Sequence, residues 1–87
     1  QAALDSGIAL FVTEWGSIGY SIIDSEANEW MAWCFSNKIS HCNWAVNDKE
    51  EEWSILVPNA NTLGGWSTED LTDAGKLAKK IISTWPY

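Results

Sequence analysis

An apolar run that leads directly into a carboxylate constrains the fold of this chain more than any other feature. Residues 8–12 read Ile-Ala-Leu-Phe-Val, and Thr13-Glu14-Trp15-Gly16 follows at once. Near-continuous apolar runs are typical of parallel strands buried on both faces, so we predict a strand over residues 8–13. In barrels built from such strands, the chemistry lies where the strands end. Glu14 is therefore a candidate catalytic carboxylate beside an aromatic ring that could stack on a sugar. The alternative is a Glu that ends a strand and points into water.

The composition narrows the class of protein. The chain has 87 residues, and no stretch approaches the roughly 20 apolar residues that a membrane span needs. This predicts a globular chain of at most one domain without a membrane segment. A net charge of −7, with no arginine, argues against nucleic acid as a partner and suits a neutral ligand or simply solubility. Seven tryptophans are more than a core of this size requires. Indole rings either fill protein cores or form flat platforms for carbohydrates, and for any single tryptophan we assume a place in the core.

The two cysteines are too few for the framework of a disulfide-rich secreted domain. Cys34 falls on a predicted helix and Cys42 in a predicted strand, so a bridge is possible, but free and buried thiols are favoured. A single histidine and the lack of a Cys-x-x-Cys motif predict no metal site and no cofactor.

Hydrophobic periodicity and capping residues predict the order αβαβα, with the two strands paired in parallel through a right-handed crossover. The predicted elements are the end of a helix stopped by Gly7, a strand over residues 8–13, a helix from Asp24 or Ser25 to about Asn37, a strand over residues 39–46, and a helix opened by Ser67 with Asp70.

Each of the two longer helices has an apolar face that is predicted to be buried. In the first helix, this face consists of Ala27, Trp30, Met31, Cys34 and Phe35. In the last, it consists of Leu71, Ala74, Ala78, Ile81, Ile82 and Trp85, while Lys76, Lys79 and Lys80 face outward.

Two parallel strands leave both sheet edges open and leave helix faces without partners. A closed (β/α)8 barrel typically needs about 250 residues, so a chain of this size can hold two of the eight units. We therefore expect a piece of a larger protein, completed by further strands or by other chains. The chain begins without Met or a signal-peptide pattern, and we expect it to begin inside an element.

Four stretches carry a resemblance to a known family: residues 8–16, residues 39–46 (Ile-Ser-His-Cys-Asn-Trp-Ala-Val), Asp48-Lys49, and residues 64–67 (Gly-Gly-Trp-Ser). In order and spacing they resemble the C-terminal portion of the endoglucanase (cellulase) branch of glycoside hydrolase family 5. The resemblance implies an α/β fold in which residues 1–87 form the C-terminal part of a single catalytic domain. They would supply strands and helices 7 and 8 of a (β/α)8 TIM barrel that is incomplete as an isolated chain.

The resemblance also implies roles for four residues. Glu14 matches the catalytic nucleophile at the end of strand 7, and Trp44 matches the strand 8 tryptophan that stacks beneath the sugar next to the scissile bond. Lys49 and Glu51 match polar residues that hydrogen-bond the next glucose along. The alternatives are a core position for Trp44 and a solvated charge run for at least two of the three glutamates at positions 50–52. Trp53 stands where a small residue is expected.

A retaining glycosidase needs two carboxyl groups about 5–5.5 Å apart. In the family the second one, the acid/base, belongs to an Asn-Glu-Pro motif that ends strand 4. Here Asn28-Glu29 is followed by Trp30 and falls on a predicted helix, so that role is not transferred.

The resemblance implies a secreted, retaining endo-β-1,4-glucanase acting on cellulose and cello-oligosaccharides, without a cofactor. Three interpretations stay open. The chain is an enzyme segment, a catalytically inactive carbohydrate-binding remnant, or a fragment whose open edges pair with copies of itself.

Overall fold

The computed structural model describes the backbone of residues 1–16 and 21–85, and the side chains of all of these except residues 21–24. In chain order the elements are α1 (Ala2–Asp5), β1 (Val12–Trp15), α2 (Ser21–Ser36), β2 (His41–Asn43), a 3-10 turn (Thr68–Asp70) and α3 (Asp73–Ser83).

α1 ends as its glycine predicts. Gly7 has a φ of 81°, a left-handed conformation that glycine adopts without a steric penalty. Its N–H donates to the carbonyl of Leu4 (3.0 Å), and the N–H of Ile8 donates to the carbonyl of Ala3 (2.9 Å). This pair of bonds is the Schellman motif, which satisfies the last carbonyls of the helix. The predicted stop at Gly7 is confirmed.

β1 and β2 pair in parallel, with Val12 opposite His41 and Trp15 opposite Asn43, so the predicted pairing is confirmed. Both strands are shorter than predicted, and β1 is shifted toward its C-terminal end. Residues 8–11 stay outside the ladder because the partner strand begins only at His41. Glu14 consequently lies within β1 rather than just after it. The right-handed sense of the crossover stays a prediction.

α2 begins at Ser21, so the predicted start at Asp24 or Ser25 is wrong. Polar residues are tolerated in the first helical turn, and the helix extends by about one turn on its N-terminal side. Residues 17–20, within the predicted loop, lie outside the described residues. The helix ends at Ser36, close to the predicted end near Asn37.

The core lies between the strand pair and the two longer helices. It consists of Met31, Cys34, Ile39, Leu77 and Ile81. The predicted face of α2 is therefore confirmed at its centre, whereas Trp30 and Phe35 at its flanks are exposed. Within the described residues, the strands and α3 bury only a narrow stripe of α2.

The cysteines are both free, as favoured, but only one is buried. Burial raises the pKa of the Cys34 thiol. Cys42 is exposed, so its predicted burial is wrong. Successive side chains of a strand point to opposite faces, and its neighbours His41 and Asn43 take the partly buried face.

α3 begins at Asp73 rather than after Ser67. Ser67 and Asp70 do interact, but on the 3-10 turn, where the N–H and the hydroxyl of Ser67 both donate to the carboxylate of Asp70 (2.9 and 3.2 Å). Leu71 then adopts an extended conformation and forms an antiparallel bridge with Leu56, which interrupts the helix. The hydroxyl of Thr72 accepts the N–H of Gly75 (3.0 Å) and caps α3 instead.

The buried face of α3 agrees with the prediction in part. Its buried residues are Ala74, Gly75, Leu77, Ala78 and Ile81. Gly75 and Leu77 were not predicted, and Ile82 is exposed instead of buried. The three lysines of the helix are exposed, as expected.

Candidate active site

The C-terminal ends of the two strands are tied to each other by hydrogen bonds to one carbonyl. The backbone N–H of Trp44 donates to the carbonyl of Trp15 (2.7 Å), and the side-chain amide of Asn43 donates to the same oxygen (3.1 Å). Glu14 precedes this acceptor in β1, and Trp44 follows β2. The parallel pairing therefore brings both residues to the same edge of the sheet.

A cleft of about 310 Å³ lies at this edge, and it is lined by Glu14, Trp15, Gly16, Trp44 and Trp53. The side chain of Glu14 is exposed, and Trp44 has 51% of its surface accessible. The structure thus brings together two of the residues that the sequence singles out, a carboxylate and a half-exposed indole ring. The peptide bond between Trp44 and Ala45 is cis.

Lys49 and Glu51 lie on the loop between Trp44 and Trp53. Lys49 is exposed and Glu51 is half-buried, and the N–H of Glu51 donates to the carbonyl of Lys49 (2.8 Å). Neither residue is among those that line the cleft in the part of the chain that the structure describes. Their contact with a neighbouring sugar stays a prediction.

Trp53 lines the cleft although sequence reasoning did not assign it to the site. The only signal was its size, because a small residue was expected at this position. In the structure Trp53 lies against Gly16: a Cβ atom added to this glycine would be 3.5 Å from the Cβ of Trp53. This brings the loop after β2 back onto the exit of β1.

The side chain of Trp15 is held from the other strand. Its indole N–H donates to Nδ1 of His41 (2.9 Å), and the ring of Trp85 lies 4.4 Å from that imidazole, centroid to centroid. Burial lowers the pKa of His41, and an imidazole that accepts an indole N–H is neutral. The hydrogen bond to His41 holds the ring of Trp15, the residue that follows Glu14 in the chain.

The described residues offer no group of three or more His, Cys, Asp or Glu side chains that could hold a metal ion. Among the helices that the structure describes, none is long and apolar enough to cross a membrane.

Comparison with known proteins gives consistent matches. Endoglucanase Z of Dickeya dadantii (strain 3937) is 40% identical over 91 residues, which cover all of this chain and 20% of the relative. An endoglucanase of Clostridium saccharobutylicum is 41% identical over 85 residues, covering 92% of this chain and 19% of the relative. The chain thus spans about a fifth of the length of these curated relatives.

Solved structures match over most of the chain. A structure from Cytophaga hutchinsonii superimposes with a TM-score of 0.80 at 45% identity, covering 90% of this chain and 27% of the other. A thermostable, halotolerant GH5 cellulase from an Icelandic hot spring isolate gives a TM-score of 0.78 at 30% identity, covering 98% of this chain and 28% of the other.

The matching family model is described as Cellulase (glycosyl hydrolase family 5), and it matches residues 1–50, more than half of the chain. The family and the structural neighbours imply a (β/α)8 barrel, of which the described chain shows two parallel strands with their helices. The chain therefore belongs to glycosyl hydrolase family 5.

Proposed function

We propose that residues 1–87 are the C-terminal part of a (β/α)8 catalytic domain, contributing strands 7 and 8, and that the complete domain is a retaining endo-β-1,4-glucanase. The relatives' names, endoglucanase and cellulase, support cellulose or a related β-glucan as substrate. The observation that carries the proposal is the cleft at the ends of two parallel strands, in which the exposed Glu14 and the ring of Trp44 lie together. That edge of a barrel is where active sites of this fold are built.

In the proposed mechanism, Glu14 attacks the anomeric carbon and forms a covalent glycosyl-enzyme. A second carboxyl group from the rest of the barrel, about 5–5.5 Å away, protonates the leaving oxygen and then activates the water that releases the sugar. The ring of Trp44 is a flat apolar platform for a glucose unit. Lys49 and Glu51 hydrogen-bond hydroxyl groups of the next unit.

The rest of the barrel also accounts for the exposed apolar surface beside β1. An apolar groove of about 480 Å³ lies between the β1 segment and α2, lined by residues that include Phe11, Trp30 and Met31. Phe11 and Trp30 are 56% and 65% exposed. The preceding strand and helix of the barrel would fill this groove and pair with the free edge, as a closed barrel requires.

Glu14→Gln in the complete domain tests the catalytic role. Removing the nucleophile should lower the hydrolysis of cellohexaose by several orders of magnitude without unfolding the protein. Glu69→Gln is the matched control, because Glu69 is an exposed glutamate on the 3-10 turn and does not line the cleft. A 2-deoxy-2-fluoro cellobioside should trap its sugar on the peptide that contains Glu14. Activity of Glu14→Gln within about tenfold of the parent would contradict the assignment, since covalent catalysis contributes far more.

The stereochemical outcome has its own test. Proton NMR of the first product formed from cellohexaose should show the β-anomer, because two successive displacements retain the configuration. An α-anomer as the first product would rule out the role of Glu14 as nucleophile.

A further inference from the structure

We propose that Trp53 is a second aromatic wall of the cleft and that it binds a glucosyl unit of the same β-1,4-glucan chain. This inference rests on the proposed function, and it adds a substrate-binding residue at a position where a small side chain is expected. Trp53 and Trp44 line the same cleft as Glu14, with 41% and 51% of their surfaces accessible. The ring faces of a pyranose carry C–H groups that cover exposed indole surface favourably.

The position of Trp53 follows from its contact with the exit of β1. A Cβ at Gly16 would lie 3.1 Å from the carbonyl oxygen of Trp44 and 3.5 Å from Cβ of Trp53. Gly16, two residues after Glu14, therefore lies close to both the backbone of Trp44 and the side chain of Trp53. A sugar whose anomeric carbon faces Glu14 has the Trp53 ring within the same cleft.

The backbone around Trp53 is held in place by the residues that follow it. Ser54 is fully buried, and its carbonyl accepts the hydroxyl of Thr72. The N–H of Ile55 donates to the carbonyl of Ala45 (3.1 Å), close to Trp44. Trp53 is thus anchored to both α3 and the end of β2. A ring on a pre-ordered backbone binds a ligand without the entropic cost of ordering a loop.

The test measures cellohexaose affinity by calorimetry in the complete domain, with Glu14→Gln present in every variant so that the ligand is not cleaved. Trp53→Ser should raise the Kd about five- to tenfold, the effect of losing one stacked ring. Trp53→Phe should retain part of the affinity. Trp53→Leu should resemble Trp53→Ser, because it keeps apolar volume without a flat ring. Leu63→Ala is the control for loss of exposed apolar surface, since Leu63 is 95% exposed and lies outside the cleft.

Urea unfolding shows whether each variant is folded. If Trp53→Ser does not fold, the comparison of Trp53→Phe with Trp53→Leu decides whether the aromatic ring binds the glucan. An unchanged Kd for Trp53→Ser, or equal affinity for the Leu and Trp forms, overturns the second wall. Cleavage assays with Glu14 intact separate this from the proposed function. Cleavage by the parent together with a Kd that does not depend on Trp53 overturns only the wall. Binding that depends on Trp53 without cleavage supports the wall and overturns the function, and a parent that neither binds nor cleaves overturns both.

Discussion

Gly75→Ala places a methyl group where α3 touches the loop that carries Trp53. The new Cβ would overlap the carbonyl oxygen of Ile55 and lie 2.9 Å from its carbonyl carbon. Ordinary van der Waals contact begins at 3.4 Å, so the two segments must move apart to make room for the methyl group. The obstructing atoms belong to the backbone, and no side-chain rotation can relieve the overlap.

The expected free-energy change combines three contributions. Alanine favours a helix interior over glycine by about 1 kcal/mol, which is an upper limit for Gly75 in the first turn of α3. Overpacking of a close contact costs about 1–3 kcal/mol. Separation also weakens the bond from the Thr72 N–H to the Ile55 carbonyl (3.0 Å), and a bond of this kind contributes about 1 kcal/mol. We expect the free energy of unfolding to fall by about 2 kcal/mol, since the clash and the weakened bond outweigh the gain in helix propensity.

Urea unfolding of the complete domain measures this change, and Lys79→Ala provides the control. Lys79 is exposed on the same helix, and lysine and alanine are both good helix formers, so its replacement should change stability by less than about 0.5 kcal/mol. Gly75→Ala should also weaken cellohexaose binding, because Ser54 and Ile55 anchor Trp53. An increase in stability of about 1 kcal/mol, as for an unobstructed helical glycine, would refute the close contact.

Three further predictions concern the site and the isolated chain. Trp44→Ala should lower turnover by more than its effect on melting temperature explains, because half of the ring is exposed; an unchanged turnover per folded molecule would leave Trp44 a structural residue only. Burial lowers the pKa of His41, so the unfolded state binds its proton more readily, and stability should fall as the pH drops below the ordinary value of 6.5. His41→Gln keeps an acceptor for Trp15 and should flatten this dependence in urea unfolding at about pH 7.5 and about pH 5.5; an equally steep loss in the variant would exclude His41 as its origin. The isolated 87-residue chain, with its open strand edge and exposed apolar side chains, should associate and show no turnover of carboxymethylcellulose; light scattering that reports a 9.7 kDa monomer would contradict the first half, and turnover abolished by Glu14→Gln the second.

Short-range interactions made several features predictable from the sequence. Gly7 stops α1 because the left-handed conformation and both Schellman bonds involve residues within one turn. The lysines of α3 face outward because helical periodicity separates them from the apolar positions. The parallel pairing of β1 and β2 follows because a helix of sufficient length lies between the two predicted strands. Glu14 could be singled out because it follows an apolar run, whereas Trp44 was singled out only by the resemblance to the family.

Contacts between distant segments decided the rest. Ser67 and Asp70 carry a helix-start signal, yet α3 begins at Asp73 because Leu71 is drawn into an extended bridge with Leu56. The burial of Gly75 depends on the carbonyl of Ile55, a residue twenty positions earlier in the chain. Trp53 reaches the cleft only because the residues after it are anchored to Thr72 and Ala45. Periodicity and capping describe neighbours three or four residues apart, whereas these positions depend on backbone atoms that tertiary packing brings together.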